Sequence, residues 1–250
     1  VDDEIQFYDP QGRKRVYRRH LPHWDQVGRI YFVTFRLADS IPAARAVELR
    51  RERQVWCETH TEPYTPAQWH EYHMLFSARV ERWLDECQGS CLLADPACVE
   101  IVVRGIESFD GQHYRLDQWV IMPNHVHVLV TPNEGLLLDE ILHAWKSFTS
   151  HAINRHLGRH GQLWQRESFD HIVRSLAHLE RFRRYIRDNP AKAGSFQNLC
   201  RLRSSRSCVL ARLSCDERGR SSYTEGISSG LVVSCDEDEE TAFLLFIFLV

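Results

Sequence analysis

The chain has 250 residues, 43% hydrophobic and 11% aromatic, enough for one large domain or for a domain of roughly 200 residues with an appendage. No apolar run approaches the ~20 residues of a membrane helix, so a membrane-spanning reading is excluded and a soluble, cytoplasmic chain is expected. The net charge of −3 argues against an indiscriminate nucleic-acid binder, yet residues 151–206 hold 12 Arg or Lys against 4 Asp or Glu, and Arg13-Lys-Arg-Val-Tyr-Arg-Arg19 forms a second basic stretch.

In chain order, Arg29–Leu37 is rich in β-branched and aromatic residues and reads as the first strand. Pro42 opens a helix to about Trp56. A second helix is expected from about Pro66 to Asp85, with Trp69, Tyr72, Leu75, Phe76, Val80 and Trp83 at helical spacing. Pro96 starts another that ends near Gly111. His113–Met122 and His125–Thr131 read as a strand pair joined by a Pro123-Asn124 turn. Leu136–Leu157 is a long amphipathic helix with Leu138, Ile141, Leu142, Trp145, Phe148, Ile153 and Leu157 as its buried stripe. Gly161–Val173 mixes a short strand with loop, and Leu176–Asp188 is a last helix stopped by Asn189-Pro190. This order implies an α+β fold, an antiparallel sheet covered by helices in a ferredoxin-like (RRM-like) sandwich. The expected organisation is a catalytic domain over 1–202, with a helical insertion at about 42–95, and an irregular tail over 203–250 where periodicity fails. The eight cysteines form no CxxC pair and read as free thiols.

Chemistry concentrates in two places. In His125-Val-His127 the strand period of two puts both imidazoles on one face, a natural pair of metal ligands, although such pairs are also common as structural residues. In the last helix Tyr185 and Asn189 are one turn apart on one face, among Arg181, Arg183, Arg184 and Arg187. One reading is a helix-core aromatic beside a solvated basic face. The other is a nucleophile whose phenolate the arginines favour, able to form a phosphotyrosine ester, with the Asn189 amide completing a cation site begun by the histidines. A di-metal hydrolase reading fails, because Val128-Leu129-Val130 stand where an Asp-His pair would be required.

Four words carry a resemblance: Arg19-His-Leu-Pro-His-Trp24 with Tyr31-Phe-Val-Thr-Phe-Arg36, Val120-Ile-Met-Pro-Asn-His-Val-His127, Leu163-Trp-Gln-Arg-Glu-Ser-Phe-Asp-His171, and Tyr185-Ile-Arg-Asp-Asn-Pro-Ala-Lys-Ala-Gly194. Over about residues 17–195 the chain resembles the single-tyrosine HUH transposases of the IS200-like and REP-associated group. The resemblance implies His125, His127 and Asn189 as ligands of Mg²⁺ or Mn²⁺, and Tyr185 as the nucleophile that cleaves and rejoins single-stranded hairpin DNA through a 5′-phosphotyrosine. Arg18, Arg19, Arg181, Arg184, Arg187 and Lys192 are candidates for holding the DNA backbone. Asp170 and His171 are candidates for shuttling a proton or orienting the metal ligands. The resemblance leaves monomer and homodimer open, places the chain with the nucleoid, and implies no membrane partner. A DNA-hairpin binder that has lost turnover is the second functional class, since the tail beyond about Leu202 departs from the family pattern.

Overall fold

The computed structural model describes residues 5–13, 15–18, 22–61, 64–192 and 200–203. Its centre is a five-stranded sheet in the order β6-β3-β5-β4-β7, antiparallel throughout. The strands are β3 (Tyr31–Arg36), β4 (Tyr114–Ile121), β5 (His125–Pro132), β6 (Phe169–Ile172) and β7 (Arg201–Arg203). With α4 (Pro96–Glu107) between β3 and β4, and α5 (Leu138–His156) between β5 and β6, the order β6-β3-β5-β4 is that of a split β-α-β-β-α-β sandwich. The α+β expectation and the ferredoxin-like order both hold.

Alternation divides the sheet into two cores. Tyr31, Val33 and Phe35, with Val126, Val128 and Val130, face α4 and α5. On the other face Phe32, Val120 and Leu129 pack with Leu179, Phe182 and Ile186 of α6 (Leu176–Lys192). The helices between β3 and β4 close over that second face. They are α1 (Ala43–Thr59), α2 (Pro66–Tyr72), a π-helical turn at His73–Ser77, and α3 (Ala78–Asp85).

Several local expectations change. The single helix over Pro66–Asp85 is interrupted by the π-turn; Tyr72, Phe76, Val80 and Trp83 are buried, whereas Leu75 is exposed. Phe148 was expected in the buried stripe of α5 but is also exposed, its ring lying beside Gly105 of α4 at the margin of the contact that Thr149 fills. Helix α6 does not stop at Asn189-Pro190 but runs to Lys192. Proline in a last turn removes only one hydrogen bond, to a carbonyl close to where the helix ends anyway. Part of the N-terminal basic stretch is a strand, β1 (Arg15–Arg18), paired with β2 (Pro22–Asp25). β4 carries a bulge between Leu116 and Trp119, which leaves both on the α4/α5 side and lets the intervening Asp117 reach α6. Cys57, Cys87, Cys91, Cys98 and Cys200 are free thiols; the expected tail, from residue 204 onward, lies outside the described residues. Among the described residues no helix is long and apolar enough to cross a membrane.

Candidate active site

The two histidines stand on β5, which pairs with β3 on one side and β4 on the other. Register places Thr34 opposite His127 and Arg36 opposite His125, all on the α6 face of the sheet. Both imidazoles are buried, at 1% and 0% exposure, and their ring centroids lie 4.6 Å apart. Tyr185 projects from α6 onto the same spot, its ring 5.1 Å from that of His127 and edge-on to it. Asn189, one turn further along α6, is fully buried, and neither of its amide atoms is in hydrogen-bond geometry. The sheet residue beneath the cluster is Phe32, whose ring stacks on Phe182 at 4.1 Å and touches those of His127 and Tyr185 at 5.4 and 5.8 Å.

The imidazoles are oriented from behind. Asn124, itself fully buried, directs Nδ2 at the carbonyls of Leu84 (3.2 Å) and Gln88 (3.4 Å). That fixes the amide so that Oδ1 meets His125 Nδ1 at 2.7 Å. An amide oxygen only accepts, so Nδ1 of His125 carries the proton and its Nε2 keeps the lone pair. His127 Nδ1 shares a 2.7 Å hydrogen bond with Thr34 Oγ1, which makes Nε2 the nitrogen to present to a ligand. Among the described residues no group of three His, Cys, Asp or Glu side chains converges. The buried Asn189 amide is the candidate third donor for a cation here, and two imidazoles with one amide oxygen would suit a divalent ion that keeps open positions.

Electrostatics at Tyr185 run opposite to the expectation from its arginines. Burial pushes the phenol pKa well above its usual value, and the nearby carboxylates of Glu81 and Asp85 on α3 push it further, offset in part by the Asn189 amide. Part of the side chain reaches solvent, but the surroundings of its hydroxyl are dense with protein. The arginines are engaged or turned to solvent. Arg183 is bound by Asp117 (2.7 and 3.1 Å) and Glu180 (2.6 Å), while Arg184 and Arg187 are exposed. At rest Tyr185 is a protonated phenol.

The remaining expected site residues are more dispersed. Arg181 is partly buried on α6, close enough to His178 to disfavour its charged form. Arg18 ends β1 and Lys192 ends α6, while Arg19 lies outside the described residues. Asp170 and His171 are adjacent in β6 and so point to opposite faces. Asp170 pairs in register with Val33 on the α4/α5 side, away from Tyr185. His171 pairs with Phe32 on the tyrosine side but packs against His178 (5.1 Å) and Phe182 (6.0 Å). Sequence reasoning did not single out Thr34 or Asn124. A polar residue in phase with Phe32 inside an apolar strand was the available signal for the first, and an asparagine next to the first histidine for the second.

Residues 100–189 match the family model described as "Transposase IS200 like". This segment is similar to the IS200-like transposases. It contains His125, His127, Tyr185 and Asn189. Among solved structures, the chain is similar to a REP-associated tyrosine transposase bound to a REP hairpin (17% identity, 71% of this chain, 73% of the other, TM-score 0.39). A candidate transposase from Deinococcus radiodurans R1 is also similar (14% identity, 72% of this chain, 98% of the other, TM-score 0.31). No curated protein matches the chain significantly. At the level of the family the broad activity is DNA transposition.

Proposed function

We propose that the chain is a single-strand DNA transesterase that cleaves and rejoins hairpin-bearing DNA through Tyr185. The observation that carries this reading is the convergence of the Tyr185 ring on His127, 5.1 Å away, with His125 beside it and the buried Asn189 amide one turn on. Tyr185 Oη attacks the scissile phosphorus, the P–O3′ bond breaks, and the products are a 3′-hydroxyl and a 5′-phosphotyrosine. The proton leaves Oη as the new bond forms, because the phenol is neutral at rest. A second 3′-hydroxyl reverses the step without an external energy source. His125 Nε2, His127 Nε2 and the Asn189 amide oxygen would hold Mg²⁺ or Mn²⁺, which when bound supplies Lewis acidity and orientation at the phosphate. Thr34 and Asn124 keep the two rings turned to that task.

The test incubates the purified chain with a 5′- and 3′-labelled hairpin oligonucleotide and Mn²⁺, then resolves protein by denaturing electrophoresis. A covalent adduct carrying the label 3′ to the cut is expected, absent from Tyr185→Phe and from chelator-treated protein. Tyr185→Phe keeps the ring packing on Phe32, so its melting temperature should stay within a few degrees of the parent. An unchanged adduct in Tyr185→Phe overturns the assignment. Hairpin binding with no adduct from the parent chain favours the binder that has lost turnover.

A further inference from the structure

Arg36 is a buried cation. It ends β3 directly opposite His125, on the same face, and is 8% exposed. Its one hydrogen bond goes to a neutral group, Nη1 donating to Ser40 Oγ at 3.0 Å. Among the described residues no carboxylate pairs with it or with Arg50. Burial and the like charge of Arg50 together drag the Arg36 pKa down to about 10. An unpaired buried charge is costly, and a second guanidinium beside it raises that cost.

Both guanidiniums line a pocket of about 400 Å³, open to solvent, at the junction of β3 and α1. Pro42, Ala43 and Gln165 contribute to its wall. Pro42 gives α1 no side-chain cap and the first turn holds no acidic residue, so the positive end of a 17-residue helix is left uncompensated there. Asp39 also lines the pocket, but its carboxylate accepts a hydrogen bond from the Ser90 N–H at 2.9 Å. A cavity, a buried unpaired arginine, a second arginine and a helix N-terminus thus meet at one place, and all four favour an anion.

We infer that this pocket binds a phosphate group, and that its occupant is a backbone phosphate of the DNA strand held beside the one at Tyr185. The inference rests on the proposed function for the identity of the strand, while phosphate binding itself rests on the pocket alone. Arg36 can offer its remaining guanidinium donors in the forked geometry that phosphate oxygens accept, with Arg50 closing from the helix. A phosphate seated there would fix the strand relative to His125, across one step of the β3–β5 pairing.

The experiment titrates inorganic phosphate into the full chain at low salt, follows ³¹P line broadening, and then adds a single-stranded oligonucleotide. Saturable binding is expected, weakened about tenfold in Arg50→Gln and lost in Arg36→Gln, with release of phosphate by the oligonucleotide. Arg50 is exposed on α1, so Arg50→Gln carries the test should Arg36→Gln fail to fold. Absence of saturable binding, or equal binding by Arg50→Gln, overturns the phosphate pocket. Phosphate that stays bound while the oligonucleotide binds elsewhere overturns its assignment to the strand. The adduct assay at Tyr185 reads the proposed function separately: an adduct without phosphate binding removes only this inference, and phosphate binding without an adduct removes only that function.

Discussion

Single side chains decide how this site is poised. Asn124 reads the carbonyls of Leu84 and Gln88 on one side and fixes the His125 tautomer on the other. Asn124→Leu should therefore leave the His125 ring undirected and weaken Mn²⁺ binding by about 10–100-fold, measured by EPR titration. In the metal-free protein, ¹⁵N shifts of His125 should report an Nδ1–H tautomer that becomes mixed in the variant. The second imidazole pair, His171 and His178, behaves differently. Burial pushes both pKa values down to about 3; each ring's cationic neighbours add to the effect, His178 and Arg174 for the first, Arg181 and Arg174 for the second. Unfolded histidines take up protons near 6.5, so between 6.5 and 3 the unfolded chain binds more protons than the folded one. Stability is full above 6.5 and falls as the pH drops, by up to about 1.4 kcal/mol per unit for each ring. Urea midpoints at pH 7 and pH 5 should show the loss, and His178→Phe should reduce it.

Elements position these residues with little slack. At Gly105 α4 lies close against α5, so that an added Cβ would stand 2.8 Å from Thr149 Cγ2 and 3.2 Å from Phe148 Cδ1. Thr149 has no room to yield: its Oγ1 donates to the Trp145 carbonyl at 2.7 Å and accepts from Trp164 Nε1 at 2.8 Å. Gly105→Ala gains about 1 kcal/mol in helix propensity but incurs about 1–3 kcal/mol of overpacking, so a net loss of about 1 kcal/mol in urea unfolding is expected. Elements with strong periodicity were legible before any coordinates. β3, β5 and α5 lie within about two residues of the expected strands and helix, because each buries a continuous face. The π-turn, the β4 bulge and β7 were not legible. β7 has three partly exposed residues, with two arginines tied to Glu100, Glu107 and Asp110, a pattern that only the neighbouring α4 and the loop after it make meaningful.

For the molecule as a whole, the net charge of −3 conceals its distribution. Much of the basic segment is α6 itself, and its outward arginines Arg184 and Arg187 are exposed beside the tyrosine turn. If they meet a strand, the double variant Arg184→Ala/Arg187→Ala should bind an oligonucleotide more weakly and lower the log–log salt slope by ~1.4, two phosphates' worth on single strands. Fluorescence anisotropy across a salt series reads both quantities. The convergence of His125, His127 and Tyr185 was legible, since HxH on a strand and Tyr with Asn on a helix are short-range patterns. Its electrostatics were not. Burial of the phenol, with Glu81 and Asp85 arriving from a helix distant in sequence, reverses the sign expected from the arginines next to Tyr185.

The place of β5 has a further consequence. It is the middle strand of five, bonded to β3 on one side and to β4 on the other, and its inner face is covered by α5 as its outer face is by α6. Backbone amides in such a strand exchange with solvent only when the whole molecule opens, whereas helices lying over it can lift with far less work. The histidine platform is then as durable as the protein itself. Whatever breathing opens this cluster belongs to α3 and α6, and Tyr185 travels with the part that moves.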